Sequence, residues 1–338
     1  MKKTKTTRTT RRGRPPRRAP IGGTESDYRT SRAVSRRTDL FAADDVEDEE
    51  NSNTDIRYAS GHAIGPVTWE ITEKNGAPLN AHALALFVAL TELYLRGVTT
   101  TIKMKSGEVR IVVSTTARKL VEMVYGPGAH QQREYELLGL LRDQESESIG
   151  GLQRLSSVSI KKDSTWINWR GEKVQTTDDF RLIDWIRRKK VGRYENIQIA
   201  LSSPIQEELI NDGLTFLSSS LMQELGPKRG TALRVAVHAL SQAPLPGTHP
   251  PRREIGLTAL VSVVNPAESR RPDRYPGRYR GYVMKIADQI QAADAGHEWR
   301  IMPAKTDPLG KLVCTDAKPE QKKSWTRNME IVQHKPVS

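Results

Sequence analysis

The sequence predicts an α+β protein with two folded domains behind a long disordered amino-terminal arm. Three observations lead to this prediction: apolar residues recur at helical spacing in some segments, they alternate with polar residues in others, and charge is unevenly distributed. Hydrophobic residues make up only 36% and aromatic residues 6% of the 338 residues. This composition leaves too few apolar side chains to pack the whole chain.

The arm is predicted to span residues 1–56, where no helical or strand period is visible. Its basic part, residues 1–37, carries 13 Lys or Arg and two acidic residues, whereas residues 38–56 carry eight acidic residues and no base. Because the net charge of the chain is +13, residues 57–338 retain a net charge of +10. Two interpretations of the acidic segment stay open: it competes with a polyanion for the basic part, or it is a solubilising spacer.

A short motif in the arm, Arg12-Gly13-Arg14-Pro15, is similar to an AT-hook. Glycine lets the backbone lie flat on the floor of the minor groove, and the two arginines run along it. A narrow A·T-rich minor groove attracts arginine through its enhanced negative potential. The alternative is that Arg12 and Arg14 contact phosphates without sequence preference.

Residues 57–225 are predicted to form the first domain. Its expected elements are a helix over 79–95, strands over 99–103 and 109–113, helices from Ala117 and over 130–142, a hairpin over 158–169, and strands over 180–186 and 194–201. The order helix, strand, helix, helix, hairpin is that of a winged helix, in which the second helix of a helix-turn-helix enters the DNA major groove.

The same order of elements recurs in the predicted second domain, residues 226–316, which is followed by a tail over 317–338. Its expected elements are a helix over 231–242, a strand at Ile255, a short helix over 257–264, a long helix from Pro276, and a hairpin of 299–302 with 311–314. The repeat predicts two tandem winged-helix domains.

The candidate DNA-binding residues follow from this arrangement. In the long second-domain helix, Arg278 and Lys285 lie seven positions apart on one face, away from the apolar stripe. The turn before it and its first residues are also basic. The full set comprises Arg12, Arg14, Gln131, Gln132, Arg133, Arg142, Lys161, Lys162, Arg270, Arg271, Arg274, Arg278, Arg280 and Lys285, with Lys161 and Lys162 in the first predicted hairpin turn.

Several function classes are disfavoured by the sequence. The single cysteine, Cys314, excludes an internal disulfide framework, and the seven histidines have no metal-ligand spacing. No phosphate-binding loop of the P-loop type occurs, because Gly226-Pro227-Lys228-Arg229-Gly230 lacks the required spacing. No apolar run is long enough for a transmembrane helix, and no secretory signal is visible. We therefore expect a cytoplasmic, non-enzymatic protein with no cofactor, no metal and no membrane partner.

The chain resembles plasmid replication initiators of the RepA/TrfA-like kind over roughly residues 66–316. The segments that carry the resemblance are LNAHALALFVALTEL, VSTTARKLVEMVYG, ELLGLLRDQESESI, SSVSIKK, IQIALSSPIQEELINDG and GTALRVAVHALSQ. The resemblance implies tandem winged helices that bind repeated origin sites in double-stranded DNA, melt an A·T-rich segment and recruit the host replication initiator and helicase. It also implies a homodimer that forms through the first domain, and recognition helices at residues 130–142 and 276–292.

One other function fits the same predicted fold, namely a transcriptional repressor or a partition DNA-binding protein. The folded region does not distinguish these functions. Several direct repeats of ~20 base pairs beside the gene would favour an initiator, whereas one palindrome would favour a repressor.

Overall fold

The computed structural model describes residues 28–36, 68–73, 79–129, 137, 150–167, 173–191, 194–211 and 214–317. Within these ranges the protein is a mixed α+β structure with several β-sheets, which confirms the predicted class at this level. No helix in these ranges is long and apolar enough to cross a membrane. Of the helix predicted over 130–142, only Leu137 is described; it is helical and buried.

The first half of the chain holds nine described strands and five helices. They are β1 (Tyr28–Ser31), α1 (Arg32–Arg36), β2 (Thr68–Glu73), α2 (Ala81–Leu95), β3 (Thr99–Lys103), β4 (Val109–Thr116), α3 (Ala117–Tyr125), α4 (Gly151–Ser157), β5 (Val158–Ile167), β6 (Lys173–Arg181), β7 (Ile183–Val191), β8 (Tyr194–Leu201), α5 (Ser203–Asn211) and β9 (Leu214–Leu217).

The second half is shorter and matches its predicted elements closely. It contains α6 (Ser219–Leu225), a 3-10 turn (Pro227–Arg229), α7 (Gly230–Ser241), β10 (Arg252–Gly256), α8 (Val261–Val264), a second 3-10 turn (Glu268–Arg270), α9 (Pro276–Ala293), β11 (His297–Met302) and β12 (Lys311–Asp316).

Helix α2 lies at the centre of the molecule. The Asn80 side chain caps its first turn by accepting a hydrogen bond from the Ala83 N–H at 3.1 Å, and Gly97, with φ +75°, follows its end. The sequence predicts an amphipathic stripe here, but every residue from Ala83 to Tyr94 is buried. A helix that is apolar on all sides is typical of a core position rather than of a surface.

The first half folds around two sheets, with strand orders β3-β4-β8-β7 and β2-β5-β6. The strand predicted over 194–201 is confirmed as β8, whereas the strand predicted over 180–186 is divided: Phe180 and Arg181 end β6 of the second sheet, and β7 of the first sheet begins at Ile183. The predicted hairpin turn at Lys161–Ser164 is wrong, because β5 continues through it and pairs with β2 and β6 on both sides. Likewise, Arg187–Lys190, which lie between the strands predicted over 180–186 and 194–201, form part of β7. Ladder hydrogen bonds to neighbouring strands override the turn tendency of these short polar segments.

The second half forms a three-stranded sheet of order β10-β12-β11. Its β11–β12 hairpin pairs Trp299 with Cys314 and Met302 with Lys311, as predicted. In both halves, a strand between two helices pairs with the last strand of a hairpin: β4, between α2 and α3, pairs with β8, and β10, between α7 and α8, pairs with β12. The strand order β4-β8-β7 in the first half therefore corresponds to β10-β12-β11 in the second half, and the succession of elements corresponds as well.

Residues 28–36, which we call the strap, depart from the disordered arm predicted over 1–56. The strand β1 pairs antiparallel with β9, and Tyr28 and Val34 are buried. The Tyr28 hydroxyl donates to the Met123 carbonyl at 2.8 Å, and the Arg29 side chain forms a salt bridge with buried Glu92 of α2 at 2.9 Å. Specific hydrogen bonds and apolar burial outweigh the polar composition of this short segment.

A single continuous hydrophobic cluster runs through both halves of the molecule. Helix α2 contacts α7, α3 contacts α6, and α9 contacts both α6 and α7. The strap adds a further connection, because β1 packs on α2 whereas α1 packs on α7. The boundary predicted at residues 225 and 226 therefore separates two successions of elements that share one core.

Candidate nucleic-acid interface

Helix α9 is held against the core by one face, which leaves the opposite face in solvent. Its inner face is formed by Tyr279, Val283, Ile286 and Ile290, all buried, as the apolar stripe predicts. The Tyr279 hydroxyl donates to the Leu257 carbonyl at 2.8 Å. Pro276 occupies the first turn, where its missing N–H costs no intrahelical hydrogen bond.

A groove of about 640 Å³ runs between the outer flank of α9 and the first turn of α7. Among the described residues that line it, five are cations and none is a carboxylate; the cations are Lys228, Arg229, Arg270, Arg278 and Lys285. All five are exposed. In the described ranges, none of these five cations forms a salt bridge with a carboxylate. The groove is therefore a strongly positive surface.

Two of the arginines in this groove lie on tyrosine rings. The guanidinium carbon of Arg270 is 4.6 Å from the centre of the Tyr282 ring, and that of Arg278 is 4.8 Å from the centre of the Tyr275 ring. Such contacts hold the planar guanidinium on the ring face while its N–H edge stays available to an acceptor.

The remaining second-half candidates are placed differently. Arg271 and Arg274 form salt bridges with Glu268 at 2.9 and 2.6 Å, so part of their charge is already neutralised. Arg280 is exposed but lies outside the groove. With 3.6 residues per turn, it is roughly 160° from Arg278 around the helix axis. These arginines are close together in the sequence. In the structure, Arg278 lines the groove, whereas Arg280 lies on the other flank of α9.

The loop between β11 and β12 is fixed at its base by Asp307. This buried carboxylate accepts hydrogen bonds from the Thr258 N–H at 2.8 Å, the Thr258 hydroxyl at 3.0 Å and the Leu309 N–H at 2.9 Å. Burial by itself would raise the pKa of Asp307, but these hydrogen bonds outweigh it and lower the pKa. Gly310, with φ +102°, closes the turn, so the hairpin has a defined position beside α9.

A second buried carboxylate joins the end of α9 to this hairpin. Asp294 accepts from the Trp299 indole N–H at 3.0 Å and the Gly296 N–H at 2.9 Å, and its side chain contacts the His297 ring at 2.8 Å. Cys314, opposite Trp299, is buried, and burial raises the pKa of its thiol. The register of α9 against the sheet is thus set by hydrogen bonds as well as by apolar packing.

The two first-half candidates that the structure describes, Lys161 and Lys162, do not line this groove. Lys161 is exposed in β5 opposite Asp179, and Lys162 follows it in the same strand, opposite Asp178. Both belong to a strand rather than to the hairpin turn that suggested a DNA contact. The other candidates, Arg12, Arg14, Gln131, Gln132, Arg133 and Arg142, lie outside the described residues.

Two residues of the groove, Lys228 and Arg229, are missing from the sequence-based candidates. They occupy the 3-10 turn that leads into α7. A signal for them exists, since two consecutive cations precede a predicted helix. The sequence does not show that this helix start faces the outer flank of α9, which follows it by almost 50 residues.

Comparisons with known proteins add no family to this description. No family model matches the chain, and no curated protein matches it either. Within the described ranges, no group of three or more His, Cys, Asp or Glu residues is placed to hold a metal ion.

Proposed function

We propose that this protein binds double-stranded DNA through tandem winged helices and acts as a plasmid replication initiator in the cytoplasm. In the second half, α7, β10, α8, α9 and the β11–β12 hairpin would form one winged helix. In the first half, α2, β4, α3 and residues 130–142 would form the other, with the β7–β8 hairpin as its wing in place of the hairpin predicted over 158–169. The shared sheet orders β4-β8-β7 and β10-β12-β11 support this assignment.

The observation that carries the DNA-binding proposal is the unpaired positive charge on the exposed flank of α9. A solvated surface helix would gain from carboxylates three or four positions away from its cations, but no salt bridge links Arg278 or Lys285 to a carboxylate in the described residues. An external polyanion would neutralise these charges and release its counterions. The B-DNA major groove is wide enough to accept an α-helix.

The orientation of α9 in the groove follows from its charges. Arg278 lies in the first turn and Lys285 about two turns further along, whereas Asp288 is exposed beyond them. A carboxylate at that position would be repelled by phosphate, so the amino-terminal part of the helix is the part that enters the DNA. In this arrangement the hairpin loop, with exposed Lys305, lies beside the helix as a wing.

Arg278 and Lys285 would have different roles. An arginine can donate two parallel hydrogen bonds to guanine O6 and N7, and the Tyr275 ring holds Arg278 in place for this. Lysine is a compact charge suited to phosphate. The initiator role rests on the resemblance to RepA/TrfA-like proteins and implies repeated binding sites and host replication factors as partners.

The proposal is tested by selecting binding sites from random double-stranded DNA with the full chain. Arg278→Ala should weaken binding to the selected site by ~1–3 kcal/mol and relax the preference at one or two base pairs. Lys285→Ala should weaken selected and random duplexes by similar factors, which makes it the matched control. If the full chain enriches no sequence, or if Arg278→Ala weakens all duplexes equally, α9 does not read bases. Direct repeats of the selected site beside the gene would distinguish an initiator from a repressor.

A further inference from the structure

We propose that the groove between α7 and α9 holds the sugar-phosphate backbone of one DNA strand, with Lys228, Arg229 and Arg270 as its phosphate contacts. This inference rests on the proposed DNA-binding function and deepens it. It assigns a role to Lys228 and Arg229, which come from a different element than the helix that would read bases.

The positions of Lys228, Arg229 and Arg270 support a contact with the DNA backbone, beside the base contact proposed for Arg278. Lys228 and Arg229 form one wall of the groove, Arg270 lies at the second 3-10 turn, and Arg278 and Lys285 lie on α9. Positive charge therefore surrounds the groove on three elements. A chain of phosphates running through it would pass cations on both sides, as a polyanion in a cleft lined by one sign of charge does.

Neutral hydrogen-bonding groups complete the lining of the groove. Thr231, Ser269 and Gln289 supply side-chain hydroxyl or amide groups, and the part of the chain that the structure describes adds no carboxylate to the lining. Hydroxyl and amide groups, together with Lys and Arg, are the donors that commonly contact DNA phosphates and sugars. A groove that recognised a cation or a basic peptide would instead need carboxylates to balance the charge of its ligand.

Arg270 is already oriented for this contact. Its guanidinium lies 4.6 Å from the centre of the Tyr282 ring, and Tyr282 itself lines the groove. The neighbouring Arg271 and Arg274 share Glu268, so the local carboxylate is engaged by residues outside the groove. The positive charge that remains inside the groove is available to an external anion.

The experiment uses a duplex selected by the full chain from random DNA, so that a failure of the proposed function shows first as an absence of enrichment. In the double variant Lys228→Ala/Arg229→Ala, we expect the slope of log K against log salt to become shallower by about two, because about 0.9 of a counterion is released for each phosphate neutralised. The preferred sequence should not change.

A matched control removes two cations elsewhere. Lys103→Ala/Lys105→Ala deletes the same charge from the end of β3 and the turn that follows, where both side chains are exposed. This control should leave the slope within about half a unit of the wild type. Equal losses in the two double variants would overturn the groove and leave only a general charge effect.

Neutral methylphosphonates placed one at a time in the selected duplex locate the contact. With the wild-type chain, substitution at adjacent phosphates of one strand should weaken binding, and in the Lys228→Ala/Arg229→Ala variant the same substitutions should have little further effect. An unchanged methylphosphonate pattern in the variant would overturn the proposal even though the DNA still binds. Tyr282→Leu should reduce the effect at a phosphate of the same strand, whereas Tyr282→Phe, which keeps the ring, should not.

Discussion

Gly281 has no role in the packing of the described residues. A Cβ atom built at this position meets no atom within 4 Å, and the residue lines the groove on the outer flank of α9. A glycine inside a helix costs about 1 kcal/mol relative to alanine. No contact among the described residues accounts for a glycine here, and a close approach of DNA backbone would supply a reason.

Gly281→Ala should consequently raise stability and weaken DNA binding at the same time. We expect the free energy of unfolding to increase by ~0.5–1 kcal/mol, because helix propensity improves without a clash. Urea denaturation measures the first effect, and titration of the selected duplex followed by fluorescence anisotropy measures the second. A variant that is more stable and binds DNA as tightly as the wild type would remove the argument for close approach at this residue.

At the scale of elements, helix α7 contains one titratable side chain of interest, the partly buried His238. His238 contacts the Gln242 side-chain amide at 3.3 Å. Burial is the main cause that lowers the pKa of His238 to about 4, and the charges of Arg234 and Arg36 act in the same direction. In the unfolded chain this histidine titrates near 6.5.

Stability should therefore decrease when the pH falls from 6.5 towards 4. The unfolded chain binds a proton at His238 in this interval and the folded chain does not, so protonation favours unfolding by at most about 1.4 kcal/mol per pH unit. Above pH 6.5, His238 is neutral in both states and causes no loss of stability. Below about pH 4 it is protonated in both states, and the loss of stability is complete. Urea denaturation of the wild type and of His238→Gln across this range measures it; equal pH slopes in the two proteins would contradict a buried neutral histidine.

The sequence predicts elements well where their pattern is local. Helix α7 begins and ends within one residue of its predicted bounds, and α3 and α9 begin at the predicted residues Ala117 and Pro276, since caps, Pro276 and apolar stripes are encoded in the segments themselves. The error at Lys161–Ser164 has a different origin. This polar stretch lies in a central strand because β2 and β6 pair with it from both sides. The strand β6 follows β5 directly, but β2 is distant in sequence, so the pairing with β2 is not visible in the local pattern.

The candidate site also contains residues that follow from a local pattern and residues that depend on tertiary packing. Arg278 and Lys285 follow from helix periodicity alone, and both line the groove. Lys228, Arg229 and the two arginine–tyrosine contacts depend on tertiary packing of α7, the second 3-10 turn and α9. The periodicity of a single segment does not show that the start of one helix, α7, faces the flank of another helix, α9.

At the scale of the whole molecule, the strap divides the amino-terminal region into two parts with different roles. Residues 1–27 contain nine Lys or Arg and lie outside the described structure, whereas residues 28–36 pack against both halves. Glu92, only 1% exposed, accepts hydrogen bonds from the Arg29 backbone and side chain. Removal of the strap would leave this buried carboxylate with Arg96 as its remaining salt-bridge partner among the described residues.

Two truncations separate these parts. Deletion of residues 1–27 should leave the free energy of unfolding unchanged and make the salt dependence of DNA binding shallower, because phosphate contacts are lost. Deletion of residues 1–36 should also lower the free energy of unfolding by at least ~3 kcal/mol, since Tyr28 and Val34 leave the core and Glu92 loses a partner. Denaturant unfolding and salt titrations of both proteins test this, and equal stabilities would show that the strap is dispensable for folding.

Helix α7 meets different parts of the molecule at its two ends. Its first turn lines the cationic groove, and at its last residue the Ser241 carbonyl accepts a hydrogen bond from the Arg36 side chain at 3.0 Å. Twelve residues of α-helix form a rod about 18 Å long. A helix packed along its length does not bend easily, so we expect a displacement of one end of α7 to move the other end as well. If bound DNA tilted α7, the strap would therefore shift. A displaced strap would in turn alter the width of the groove.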